Sequence, residues 1–433
     1  MDGQELVVLV RDTGITWVAA TAESIRAGGA AVGLVTTGLT PQEQGWIDGL
    51  VEEVAIIDDL GDAAQIADAA ERMSRGRTLS AVLSPSDGGM VAAARAAETL
   101  GVGRVSSAAL ALSRNKYGAR VAMRAAGLPT PPFALLHDAE SAAAVAAEVG
   151  LPAVIKPVNG TGSHLVEPVG TVDELAAAYR GLAARLLDTV QLRHIYSRSI
   201  DGGDGATIDP TGTFLVEGML RGEEYCVDVI IRDGRLEPLP LMHKILIDDR
   251  FFEHGFVSPP IDLDPDREKL ILGAVGDAIL ALGLDNTLAH VEVIDDEDAG
   301  PTVVEVNGGR PGGQIIGLLY GMATGINTGA ELVALSRGLP SPRTTPRLPI
   351  PLASLTLFAE GNGRLRAIHG LDELADLDGV IQVIPAVRPG DLLSDDHEIF
   401  AVNFVVAGFM DLDDLQDTYE LATGLVRIEV DPI

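Results

Sequence analysis

Residues Ala289–Gly313 read AHVEVIDDEDAGPTVVEVNGGRPGG. Two short β-branched runs, HVEVI and TVVEV, flank an acidic segment that closes on Gly300–Pro301. This is the pattern of a β-hairpin with a four- or five-residue loop. With the loop centred near Asp298–Ala299, Glu292 falls opposite Glu305, and strand alternation puts Asn307 on the face of Glu305. Carboxylates directly opposite one another repel, by up to about 1 kcal/mol even in water, so the pair requires a cation. Three hard oxygen donors converging from one rigid hairpin suit Mg²⁺ or Mn²⁺ better than zinc. Gly308, Gly309, Gly312 and Gly313 then allow close backbone approach to a ligand, with Arg310 among them as an anion clamp. The competing reading is a solvated acidic hairpin, for which the apolar residues around both glutamates are a poor environment.

The chain has 433 residues, 47% hydrophobic and 22% charged, enough for two to four domains and ample core. Its single cysteine, Cys226, excludes an internal disulfide and a cysteine-based metal site, and fits a reducing compartment. The N-terminus MDGQELVVLV lacks a basic region, and no run approaches a membrane span. A cytoplasmic protein is expected. A formal charge of −32 argues against nucleic-acid and anionic-membrane partners. An anionic ligand would therefore need a few local cations. Only four basic residues are lysine, namely Lys116, Lys156, Lys244 and Lys269. A compact ammonium serves as a point charge for a phosphate oxygen.

The first hundred residues alternate strand and helix, which predicts an open, mostly parallel α/β sheet. No G-x-G-x-x-G follows the first strand, so a dinucleotide site is not indicated. Ser84–Asp87 reads as a strand end leading to a helix N-cap. Ser113–Gly127 reads as one amphipathic helix, stopped by Pro129, Pro131 and Pro132. The strand PAVIKP leads into VNGTGSHLV (158–166), a glycine- and hydroxyl-rich turn that could present N–H groups to phosphate or be an ordinary turn. Residues 197–213 predict a long loop, EEYCVDVIIRDGRLEPLPLMHKILI a hairpin turning at Asp233–Gly234, and the five prolines in 338–351 a linker.

Taken together, N-K-x₁₀-G-L-P-T-P from Asn115, strand-borne Lys156 with its glycine loop, Glu217 and Glu224, and the E-V-N of Glu305–Asn307 resemble the ATP-grasp superfamily. The likeness is to its carboxylate–amine ligase branch, with L-amino-acid ligases and relatives of carbamoyl-phosphate synthase. It implies an N-terminal open α/β domain (1–112), an ATP-grasp module of two α+β subdomains (113–340, the mobile one about 130–220) and a small C-terminal α/β lobe (341–433). It further implies that Lys116 and Lys156 contact the α- and β-phosphates of ATP and that Gly160, Gly162 and Ser163 close over them. Glu217 would meet the adenine amino group, backbone from Gly218 through Met219 to Leu220 the ring, and Glu224 the ribose. Glu292, Glu305 and Asn307 would hold two magnesium ions, and Arg310 the transferred phosphate or acyl phosphate. Two departures stand out: two glycines, not one, separate Asn307 from Arg310, and Phe256 stands where relatives carry a histidine, with His254 two residues earlier.

The resemblance implies ATP-dependent joining of a carboxylate, an amino acid's, to an amine through an acyl phosphate, on small-molecule substrates and as a homodimer. A bicarbonate- or formate-activating enzyme, or an inactive nucleotide-binding protein, is the alternative. Lys244 is a candidate for substrate or phosphate contact, and Glu253, His254, Ser86, Asp87 and Gly312 for substrate. His243 reads as a satisfied strand histidine and Lys269 as solvated.

Overall fold

The computed structural model describes residues 4–160, 164–188, 200–201, 207–248, 251–345, 351–393 and 400–432. Four parallel strands come first, in the order Glu53–Ile56, Ala31–Thr36, Glu5–Arg11, Thr78–Leu83. Helices cover both faces, so Leu6–Val10 within the strand Glu5–Arg11 is an unbroken apolar run instead of an alternating one. The sequence reading passed over one helix here, Pro41–Ile47, although T-P-Q-E announces it. Thr40 accepts from the Glu43 N–H and the Glu43 carboxylate accepts from the Thr40 N–H, a complete capping box.

The helix expected over Ser113–Gly127 is two helices, Ser107–Arg114 and Lys116–Ala125. Asn115 breaks them apart. Its side chain accepts the Gly118 N–H at 2.9 Å, and a Cβ on Gly118 would lie 2.7 Å from that same side chain. The Lys116 N–H donates to the Val158 carbonyl (2.8 Å), which ties the start of the second helix to the end of the Lys156 strand.

A four-stranded antiparallel sheet follows, in the order Phe133–Leu136, Phe214–Gly218, Ala153–Pro157, Glu167–Val169. Helices Ala142–Val149 and Val172–Asp188 pack on it; the second was not read from the sequence. Within the expected loop 197–213, Ile200–Asp201 pairs with Thr207–Ile208, while 197–199 and 202–206 lie outside the described residues.

The third sheet has nine strands among the described residues. From its edge they run Gly300–Gly308, Thr287–Asp296, Gly222–Arg232, Met242–Ile247, Glu253–Ser258, Leu352–Phe358, Phe400–Ala407 and Val380–Pro385, with Arg235–Pro238 on the side of Gly222–Arg232. The turn at Asp233–Gly234 is as expected, with positive φ at both residues. Pairing of Glu253–Ser258 with Leu352–Phe358 carries the sheet directly into the C-terminal segment. A three-stranded sheet and the helix Leu412–Leu425 complete that segment. Among the described residues no helix is long and apolar enough to cross a membrane.

The hairpin at the edge forms, with a different turn. Its loop is three residues, 297–299, followed by Gly300 at φ +76°. The Asp296 carboxylate accepts the N–H groups of Arg221, Asp298 and Ala299, which tightens the bend. Such a turn by itself would set Glu292 against Val304. A bulge at Val304 shifts the register by one, and Glu292 pairs with Glu305 as expected from the sequence. Val291, Val293, Val303 and Val306 enter the core against helices Lys116–Ala125 and Pro265–Ala281, which leaves the two glutamates on the opposite face.

Candidate active site

Two of the four lysines sit on carboxylates of this face, and a third sits on a glutamate of the four-stranded antiparallel sheet. Lys116, first residue of its helix, pairs with Glu305 and donates to the Gly160 carbonyl (3.2 Å). Lys244, buried on its strand, donates to Glu224 (2.7 Å) and Glu292 (2.9 Å), with Glu253 at 3.8 Å. Lys156 pairs with Glu217 at 2.5 Å. Burial depresses the Lys116 ammonium, opposed by Glu305 and aided by neighbouring Lys156. Burial also acts against the Lys244 charge, but Glu224, Glu253 and Glu292 outweigh it and raise the ammonium well above its ordinary value. Burial would raise Glu292; Lys244 and His290 prevail and hold it down to about 2. Glu253 goes the other way, raised by burial despite Lys244, with Glu292 and Glu224 adding to the rise. One ammonium thus faces three carboxylates.

Glu217 has a different setting from the one expected. Its carboxylate is buried between Lys156 and Arg120, which takes both oxygens. Those two cations overcome burial and hold Glu217 down to about 2. The side chain is therefore committed to the protein, and an adenine amino group would have to find the backbone. The Gly218 and Met219 N–H groups bond the Pro132 and Pro152 carbonyls (2.9 and 3.1 Å), so those two amides are not donors to a base. Leu220 follows them, half-buried.

Arg310 reaches back to the first sheet. Its Nε donates to Asp87 (2.7 Å), and Arg114 Nη1 lies 3.1 Å from the same oxygen and 3.3 Å from the Asn307 side-chain carbonyl. Asp87, a substrate candidate from the sequence, is already met by two guanidinium groups. Ser86 is buried and folded onto Ser84, whose hydroxyl donates to the Ser86 carbonyl and accepts its N–H; the helix Met90–Thr99 starts beyond, with Gly89 at its N-cap. The N-cap expected at Ser84–Asp87 is therefore a local turn.

Two further substrate candidates face elsewhere. His254 alternates with Glu253 on its strand, and its ring bonds the Tyr419 hydroxyl (2.7 Å) and packs on Phe358, toward the C-terminal helix. The Gly312 N–H donates to both oxygens of Asp228 (3.0 and 3.1 Å), and a Cβ there would lie 2.7 Å from His290 Nδ1. Asp228, fully buried, also holds His290 Nδ1 at 2.8 Å, and His290 Nε2 lies 3.7 Å from Glu292. His243 bonds Glu223 (2.7 Å) and stacks on Tyr225, a satisfied histidine. Gly162 and Ser163 lie outside the described residues.

Arg114, Arg120, Asp228 and His290 were missed in the sequence. Arg120 is one helical turn beyond Lys116, a spacing that puts both on one face. Asp228 and His290 stand out only as polar residues in β-branched runs.

Among the described residues no three His, Cys, Asp or Glu side chains already converge in metal-binding geometry. The hairpin set is two carboxylates and an amide, all oxygen donors, and one lysine among three acids leaves an excess of negative charge. These residues fit a hard divalent cation. Beside them, lysines and arginines can neutralise an anion, and together the two sets suit a polyphosphate with its metal.

The model of the ATP-grasp domain matches residues 149–317, and that of the L-amino acid ligase C-terminal domain 2 matches 355–431. An uncharacterised protein of Sinorhizobium fredii is 29% identical over 283 residues, 64% of this chain and 52% of its own length. A D-alanine–D-alanine ligase of Laribacter hongkongensis is 26% identical over 219 residues, 49% of this chain and 62% of its own. The chain thus spans less than two thirds of the length of either relative. Among solved structures, an L-amino acid ligase from Bacillus licheniformis superposes with TM-score 0.78 at 20% identity over 100% of both chains. The biotin carboxylase domain of a Hydrogenobacter thermophilus 2-oxoglutarate carboxylase, solved with MgADP and bicarbonate, gives 0.70 at 18% identity over 98% of this chain and 90% of its own. At such identity these two share its fold.

Proposed function

We propose that this chain, which belongs to the ATP-grasp superfamily, is an ATP-dependent ligase joining the carboxylate of an amino acid to an amine. The observation that carries the proposal is the edge hairpin, where Glu292 faces Glu305 beside Asn307 and both acids are held by lysines. In the reaction a carboxylate oxygen attacks the γ-phosphorus of ATP, the bond to ADP breaks, and an acyl phosphate forms. The amine then attacks the acyl carbon, loses a proton, and phosphate leaves. A carboxylate alone is a poor electrophile because its leaving group would be oxide, and phosphorylation supplies a good one.

The protein's part is positioning and charge neutralisation. Lys116 and Lys156 would hold the α- and β-phosphates, under a loop containing Gly160, Gly162 and Ser163. Glu224 would take the ribose, the backbone of 218–220 the base, and Lys244 and Arg310 the transferred group. Glu292, Glu305 and Asn307 would hold Mg²⁺ or Mn²⁺, which offsets charge on phosphate oxygens. Binding would exchange partners at the hairpin, Glu292 and Glu305 from lysine to metal and Lys116 and Lys244 from glutamate to phosphate, while Arg120 would keep Glu217 paired as Lys156 turns to phosphate. The match of residues 355–431 to an L-amino acid ligase domain favours an amine acceptor over bicarbonate activation. A homodimer is part of the proposal, testable by sedimentation.

A phosphate-release screen of amino acids against amines with Mg-ATP tests the reading, with products identified by mass. ADP, phosphate and an amide are expected. AMP as the stoichiometric product would overturn the mechanism, and turnover with bicarbonate or formate alone would overturn the substrate class.

A further inference from the structure

The bulge at Val304 decides which residue faces Glu292, and bulges leave backbone groups outside the ladder. One side chain takes them here. Arg120, among the largest fully buried side chains, donates through Nη1 to the Val303 carbonyl (2.5 Å) and through Nη2 to the Val304 carbonyl (2.8 Å). Its Nε and Nη2 meet the two oxygens of Glu217, which neutralises it. A planar guanidinium can serve these four acceptors at once, whereas an ammonium on a flexible stem cannot reproduce the fork. One turn earlier on the same helix, Lys116 contacts Glu305, the residue directly after the bulge. The helix thus grips the hairpin at the bulge and at the glutamate beside it.

We infer that Arg120 is a positioning residue for metal binding. By holding the Val303 and Val304 carbonyls it keeps the bulge in place, and with it the register that sets Glu305 opposite Glu292. This rests on the proposed ATP-and-metal reading of the hairpin. Glu217 is the counter-charge of Arg120 and is not itself part of this grip.

The test is calorimetric titration of Mg²⁺ into the full chain saturated with a non-hydrolysable ATP analogue, for wild type, Arg120→Lys and Glu217→Gln. Arg120→Lys should weaken Mg²⁺ binding about tenfold or more, in the range seen when groups that orient metal ligands are removed. Glu217→Gln, which leaves both carbonyl bonds possible, should change it by no more than about twofold on the same scale. A lowered thermal midpoint in Arg120→Lys with unaltered Mg²⁺ affinity would make Arg120 merely structural and overturn the inference. A tenfold loss in Glu217→Gln would overturn it too, because positioning would then run through the acid. That second variant keeps the inference falsifiable if Arg120→Lys does not fold. Wild-type protein that binds neither Mg²⁺ nor the analogue would overturn the proposed function itself.

Discussion

Glu217 and the Glu292–Glu305 pair are both glutamates facing lysines, yet they occupy opposite kinds of site. Glu217 lies on an inner strand of its sheet with a side chain 6% exposed, clamped by Arg120 and Lys156. Glu305 lies on the edge strand of the large sheet and Glu292 on the next, with side chains 20% and 22% exposed. A sealed carboxylate with two fixed cations cannot change partners without stranding a buried charge, at a penalty of several kcal/mol. A carboxylate at a sheet edge can release its lysine to a ligand and accept a metal. The contrast separates a joint of the fold from a place where ligands exchange, although the family resemblance assigns both to the ATP site.

The sharpest way to break this comparison is to neutralise the exchangeable side. Glu305→Gln keeps shape and removes one anionic donor, so phosphate release should fall roughly a hundredfold or more, on the order of 3 kcal/mol in the transition state. The thermal midpoint should move little, because the residue is partly exposed and its lysine keeps a hydrogen-bonding partner. Near wild-type turnover at saturating Mg²⁺ would remove the hairpin from the chemistry.

Acid should act on the sealed side. Glu217 is held down to about 2 from an ordinary 4.5. Below pH 4.5 the unfolded chain therefore binds more protons than the folded one, and stability falls as pH falls, until the folded group itself protonates near 2. Between pH 4.5 and pH 3 this amounts to about 2 kcal/mol. Urea unfolding at several pH values should show Glu217→Gln losing that part of the acid dependence. Glu292 acts in the same direction and should leave a remainder. Identical pH profiles would place Glu217 outside any strong ion pair.

What could be read in advance follows the same division. Local rules carried the hairpin with Glu292 opposite Glu305 and the parallel first sheet, because alternation and short turns act within a few residues; Lys116 and Glu224 came only through the family resemblance, since they reach the hairpin from far along the chain. The right register came through a wrong turn: a three-residue loop and a bulge produce the pairing that a longer loop would have given. A bulge next to Val304 has no residue signature, since any side chain fits there; what holds it is Arg120, 184 residues away in sequence. The partners of Asp87 and Gly312 escaped the sequence for a similar reason. Arg114 with Arg310, and Asp228 with His290, are brought in by the fold, and no spacing in the chain reveals them.

Lys156 stands between the two regions, paired with sealed Glu217 yet proposed to reach a phosphate. Lys156→Ala should raise the ATP concentration for half-maximal rate about tenfold, the loss of one charge-assisted contact made on binding. An unchanged ATP requirement would assign Lys156 wholly to the joint and widen the contrast between the regions.

The smallest expected effect asks whether the sealed network behind Glu292 matters to the exchangeable side. Gly312 and Gly313 are neighbours in sequence with opposite surroundings. A Cβ on Gly313 meets nothing within 4 Å, and its φ of −54° is open to any residue. A Cβ on Gly312 would press on the His290 ring at 2.7 Å, and that ring is fixed from behind by Asp228 and faces Glu292 at 3.7 Å. Gly313→Ala should be neutral or stabilise by about 0.4–1 kcal/mol, since alanine restricts the unfolded chain more than glycine does. Gly312→Ala cannot be relieved by a flexible side-chain end, because the obstacle is a ring hydrogen-bonded in place. The ring must tilt, and Glu292 with it, so turnover should drop about threefold to tenfold, the scale of a small misplacement in a positioned site. Steady-state rates and thermal midpoints of the two variants decide it. Equal behaviour would show that His290 packs beside Glu292 without guiding it, and the exchangeable pair would then depend on its lysines and the Arg120 grip alone.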